Sequence, residues 1–245
     1  MVPIKKADIF SELQADILRL QGFKSGNRVS SAVGLGPLQS AFPNGTFPTG
    51  AVHEFVSEGR EDASATHGFV SGLLSELIDI QGAVLWISSS RTLFPPALKS
   101  FGLRPDHFIF LDVQKETEVT WAMDEALKCG ALAAVVGETR EVDFNTSRRL
   151  QLAVEQSQVT GFILRNNYRT LNPTACVSRW KISSLPSELS DDLPGVGFPK
   201  WKVELLRMRN GKSGTWSMQW INGRFACTES KSLVLSQQQE RKKAG

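Results

Sequence analysis

The chain has 245 residues, 41% apolar and 22% charged, with a formal net charge of +3. That length suits one large α/β domain, or a domain with a small appendage, and the composition is ordinary for a soluble globular protein. It excludes several classes. No uncharged apolar stretch reaches the ~18 residues of a membrane span, and the polar, amphipathic N-terminus carries no secretory h-region. Cys129, Cys176 and Cys227 are scattered, and with the three histidines they form no CxxC pair and no ligand cluster. A reducing cytoplasm, no membrane, no structural zinc and no cofactor are therefore expected. The small positive excess locates no nucleic-acid patch.

In chain order, residues 5–20 predict an amphipathic helix, with Ile9, Leu13, Ile17 and Leu20 on one stripe. Residues 1–22 are accordingly read as an N-terminal helix, and the Gly/Ser/Pro-containing stretch 23–50 as a linker. The main domain spans 51–228, followed by a tail over 229–245 read as disordered. Within the domain, 51–57 is a strand and 62–80 a helix with Phe69, Val70, Leu73, Leu74, Leu77 and Ile78 on one face. Residues 83–89 form a near-continuous apolar run, as in a parallel strand covered on both faces. A short helix around 94–101, a strand at 107–113 and a helix at 117–130 stopping at Gly130 follow. Then come a strand at 131–137, a helix at 145–157 and a strand at 161–165. This alternation predicts an α/β fold with a mainly parallel sheet flanked by helices.

After Arg165 the pattern changes. Residues 176–182 alternate, and 201–209 and 214–223 flank Asn210-Gly211, a hairpin signal. Antiparallel strands are expected at the C-terminal edge, with Trp216, Met218 and Trp220 on one face and a long polar loop over 183–199. The tryptophans fall mostly at core spacing, so base stacking is not invoked.

The window Gly59-Arg60-Glu61-Asp62-Ala63-Ser64-Ala65-Thr66 follows a strand and opens a helix, the setting of a phosphate-binding loop. Such a loop, G-x-x-x-x-G-K-[ST], wraps phosphates with backbone N–H groups, reaches them with Lys and holds magnesium with Ser/Thr. Gly59 and Thr66 fit the spacing, but Ser64 replaces the second Gly and Ala65 replaces the Lys. Glu61 and Asp62 add negative charge. A bare helix N-terminus contributes only about 0.3–1 kcal/mol to anion binding at an exposed site, too little to replace the charge stabilisation that phosphoryl transfer needs. Two further positions agree. Gly137 stands where a magnesium-organising acid is expected, with Glu138 predicted to point to the opposite face. Ser88, Ser89, Ser90 and Arg91 stand where a water-activating Glu would follow the next strand.

The runs FPTGAVHEFVSEG, AVLWISS, TWAMDEALKCGALAAVVGE, SRRLQLAVEQSQVTGFILR and FPKWKVELLRMRNGKSGTW together resemble the ImuA family, RecA/SulA-related accessory factors of bacterial mutagenic repair. The resemblance runs from about residue 5 to residue 222. The N-terminal KADIFSELQADILRLQGF is most similar to the Bacteroidetes branch. It implies a RecA-like core and a non-catalytic adaptor role in SOS-induced translesion DNA synthesis. The implied partners are an ImuB-like inactive Y-family polymerase and an error-prone replicative-type polymerase, with RecA and DNA as further candidates and a homo-oligomer left open. No catalytic residues carry over. Candidate contact surfaces are the helix stripe Ile9, Leu13 and Ile17, the pair Arg148 and Arg149, and the basic hairpin of Arg207, Arg209 and Lys212. A SulA-like cell-division inhibitor and a divergent DNA-stimulated ATPase or recombinase are the alternative functions.

Overall fold

The computed structural model describes residues 34–77, 82–187 and 197–228. In chain order the elements are β1 (Val52–Ser57), α1 (Arg60–Leu77), β2 (Ala83–Ser88), β3 (Phe108–Asp112), α2 (Glu116–Leu127) and β4 (Leu132–Thr139). They continue with α3 (Phe144–Ser157), β5 (Thr160–Asn166), β6 (Ser178–Leu185), β7 (Lys200–Met208), β8 (Gly214–Ile221) and β9 (Arg224–Cys227). Short 3-10 turns occupy Gly36–Ala41, Pro43–Gly45, Pro95–Phe101 and Pro105–His107. The predicted N-terminal helix with Ile9, Leu13 and Ile17, and the tail from 229, lie outside the described residues.

One nine-stranded sheet takes the order β3-β2-β4-β5-β1-β6-β7-β8-β9. All pairings from β3 across to β6 are parallel, and β7, β8 and β9 add antiparallel strands at the C-terminal edge. The expected α/β architecture is therefore present. One detail differs: β6, grouped by its alternation with the antiparallel strands, joins β1 in parallel, His53 opposite Ser178. Its neighbour β1 is buried at all six positions, as a strand covered on both faces should be.

The two faces carry two cores. On one, α1 packs across β1, β5 and β6 over an aromatic cluster in which Phe55 and Trp180 stack at 5.8 Å and Phe69 meets Phe225 at 5.0 Å. Gly72 makes this packing feasible, because a Cβ there would sit 2.6 Å from the Phe225 ring. On the other face, α2 and α3 cover β2, β4, β5 and β1 with an aliphatic core of Val119, Met123, Leu150, Val154 and their neighbours. The helix ends are well specified. Asp143 caps α3 by accepting from the Thr146 N–H at 2.6 Å, and Gln158 closes it in the left-handed conformation (φ 62°).

The stretch read as a linker is, from residue 34 onward, part of the domain. Leu35, Leu38, Phe42 and Phe47 are at most 5% exposed and join the aromatic core. Its glycines and prolines serve the 3-10 turns between those anchors instead of marking a boundary. The Asn210-Gly211 hairpin is present, with Asn210 at φ 57°. A second Asn-Gly pair, Asn222 (φ 51°) and Gly223 (φ 73°), turns the chain into β9, an element the pattern reading missed.

Candidate functional site

The window 59–66 does not fold as a phosphate loop. Only Glu58 and Gly59 separate β1 from α1, and the helix is already under way at Arg60. The Ala63 N–H donates to the Gly59 carbonyl at 2.9 Å, so Thr66 is the seventh residue of the helix. In an α-helix only the first four N–H groups lack an intrahelical acceptor. The N–H groups of Ser64, Ala65 and Thr66 are therefore committed along the helix axis and cannot converge on phosphate oxygens. Ser64 is exposed and back-bonds to the Arg60 carbonyl at 3.0 Å. Ala65 is 6% exposed and faces the aromatic core. Gly59 has ordinary backbone geometry and open space where a Cβ would sit. The spacing matched while the backbone did not.

The Thr66 hydroxyl, which would hold magnesium in a working loop, is buried against Ser57. Their oxygens lie 2.9 Å apart, with Ser57 0% and Thr66 1% exposed. Glu61 and Asp62 sit in the first turn, where carboxylates favour the helix dipole and disfavour an incoming anion.

The magnesium-acid position needs correcting. A Cβ on Gly137 would lie 2.1 Å from Met123 Sδ, so this position points at α2, away from α1. Alternation along β4 explains it: Ala134 and Val136 belong to the core under α1, and Val135 to the opposite core. Glu138 therefore shares the α1 face, contrary to the expectation. It is 4% exposed and accepts from Trp86 Nε1 at 2.7 Å and from the Thr92 hydroxyl at 2.7 Å. His67, the residue after Thr66, places Nε2 3.3 Å from Glu138 Oε1, close enough to pair but outside hydrogen-bonding geometry. Burial opposes the ionised form of Glu138, yet His67 with the Thr92 and Trp86 donors holds its carboxyl below the usual range. The acid on the site face is thus present and engaged with neighbouring side chains.

Beside this cluster, at the centre of the sheet, runs a buried polar network. Arg165, 0% exposed, donates to Glu54 at 2.8 Å, to Glu141 at 2.9 Å and to the carbonyls of Arg140 and Thr170. The second Glu54 oxygen accepts from Thr174 and Arg179. One strand position away, His53 is fully buried. Trp180 donates to the Ser178 hydroxyl, which in turn donates to His53 Nδ1 at 2.6 Å, and Nε2–H donates to the Pro48 carbonyl at 2.7 Å. Burial pushes the His53 pKa down to about 4, so the ring is neutral.

The predicted basic surfaces are dispersed. Arg207 is turned onto the carbonyls of Thr174 (2.9 Å) and Cys176 (2.6 Å), and Arg209 onto that of Ala175 (2.7 Å). Both brace the segment leading into β6. Lys212 is exposed at the hairpin turn, with its main-chain N–H on the Ala41 carbonyl. On α3, Arg148 is exposed, and Arg149 pairs with Asp124 of α2 at 3.4 Å. The tryptophans are in or against the core except Trp121, 64% exposed on α2.

Among the described residues no helix is long and apolar enough to cross a membrane, and no group of three or more His, Cys, Asp or Glu could hold a metal ion. No family model matches the chain. Against curated proteins it is 35% identical over 194 residues to Protein ImuA of Caulobacter vibrioides strain NA1000 / CB15N, covering 74% of this chain and 80% of the relative. The same protein of strain ATCC 19089 / CIP 103742 / CB 15 matches equally. The chain belongs to the ImuA family. Among solved structures, SulA from Pseudomonas aeruginosa is similar at a TM-score of 0.41 and 18% identity, over 47% of this chain and 97% of that one. The family assignment rests on the ImuA relatives alone.

Proposed function

We propose that this ImuA-family chain is a non-catalytic accessory protein of SOS-induced translesion DNA synthesis and mutagenesis, acting in the cytoplasm. It serves as an adaptor for an ImuB-like inactive Y-family polymerase and its error-prone replicative-type partner, with RecA and DNA as further contacts. Family membership supports the pathway. The observation that carries the non-catalytic half is the start of α1 at Arg60, which commits the N–H groups of residues 64–66 to the helix. The internal bonds of Thr66 and Glu138 support it further.

Two measurements test the two halves separately. Co-purification with the ImuB-like polymerase of the same cassette, at roughly micromolar concentrations, is the expected outcome for the adaptor role. Absence of a complex overturns it. Titration with a fluorescent ATP analogue, with and without single-stranded DNA, is expected to give no saturable binding and no hydrolysis. DNA-stimulated ATP turnover would instead establish a divergent ATPase.

A further inference from the structure

Strands β2, β3 and β4 end side by side, and the chain leaves them toward opposite faces. After β2 it crosses to the α1 face, where Leu98, Phe101 and Leu103 join the aromatic core. After β3 and β4 it enters α2 and α3, whose apolar faces belong to the other core. Such a divergence opens a crevice at the carboxyl ends of parallel strands, the favoured ligand position in open α/β sheets. Here it is a cavity of about 350 Å³. Trp86 and Phe110, register partners on β2 and β3, line its aromatic side, and Ser88, Asp112 and Glu138 supply polar groups at the strand ends.

Charge in this cavity is uneven. Asp112 is neutralised by Arg91, whose Nε donates to Oδ2 at 2.6 Å while Nη2 pairs with the same oxygen. Glu138 has a weaker one, His67 at 3.3 Å without a hydrogen bond. Its hydrogen bonds come from the neutral donors Trp86 and Thr92. Among the described residues the base beside it is His67, whose buried Nε2 makes no hydrogen bond. A cation delivered into the cavity would add a charge-assisted hydrogen bond that the present partners do not supply. A phosphate would meet the Glu138 carboxylate and an Asp112 already paired with Arg91.

We propose that this cavity is a binding site for a guanidinium group. The flat cation stacks on Phe110 beside Trp86, and its N–H fork serves Glu138 and the Ser88–Asp112 rim. An ammonium would supply the charge without the stacking plane. The group can belong to a free arginine-derived amine or to an arginine side chain of a polypeptide.

The test is calorimetric titration of the full chain with agmatine and with the tripeptide acetyl-Ala-Arg-Ala-amide. The same tripeptide carrying citrulline serves as a neutral isostere. Saturable binding of an arginine compound and none of the citrulline peptide is expected. The tighter of the two arginine ligands identifies the source, agmatine for a free amine and the tripeptide for a polypeptide. Glu138→Gln keeps the shape and one of the two acceptors and is expected to weaken binding by roughly tenfold or more. Should that variant not fold, the rim decides. Arg91→Ala frees Asp112 and is expected to tighten binding several-fold, while Asp112→Asn leaves Arg91 unpaired and weakens it. Equal binding of the citrulline peptide, no saturable binding, or affinity unmoved by both rim variants overturns the proposal.

Discussion

Arg165 Nη1 donates to Glu54 Oε1 at 2.8 Å with neither side chain exposed to solvent. The pair bridges β1 and β5, and through Thr174 and Arg179 it also fixes the entry to β6. Removing one member of such a pair leaves the other charge buried. Arg165→Met is expected to destabilise the fold by about 3–5 kcal/mol, measured by urea denaturation. A loss below 1 kcal/mol would mean that Arg179 alone balances Glu54.

Gly137 lies against Met123, so any side chain there presses into the α2 core. Gly137→Ala is expected to cost about 1–3 kcal/mol, softened by the flexibility of the methionine. Gly137→Asp should be far more damaging and should confer no nucleotide hydrolysis, because the new carboxylate faces away from α1. ATP turnover in that variant would refute the facing assigned to β4.

Burial holds the His53 pKa at about 4, below the ordinary histidine value of 6.5. The unfolded chain therefore binds the extra proton between these values. His53's contribution to stability is complete above about pH 6.5 and is lost as pH falls through 4. Across that window wild type should lose about 3 kcal/mol more stability than His53→Gln. Parallel pH profiles for the two proteins would sink this assignment.

Burial, with the Glu54 charge adding to it, pushes the Cys176 thiol up to about 12, whereas Cys129 is exposed. Alkylation at pH 8 followed by mass spectrometry should modify Cys129 in the native protein and Cys176 only in denaturant. Early labelling of Cys176 would show that β6 opens locally.

Much of the fold was legible because its signals are local. Apolar runs separated by helical periods predicted the parallel strands, and Asn210-Gly211 predicted the hairpin between β7 and β8. Asn222-Gly223 carried the same signal for β9 and was passed over. The facing of Glu138 was harder to read, since a strand buried on both sides shows no alternation from which to take its phase. Only the packing of Val136 under α1 reveals it. The helix start had a readable cue in Glu61 and Asp62, acids typical of a first turn, which the motif spacing outweighed. The core role of Leu35 through Phe47 depends on tertiary contacts that glycines and prolines conceal.

The two-residue step from β1 into α1 also bears on how readily this chain could acquire a phosphate-binding loop. A lysine at position 65 would emerge from the second helical turn toward the aromatic core that Ala65 faces. Building a phosphate loop there would require unwinding the first turns of α1 while keeping the aromatic packing beneath them. The obstacle lies in the path of the main chain, which substitutions at the motif positions alone leave unchanged.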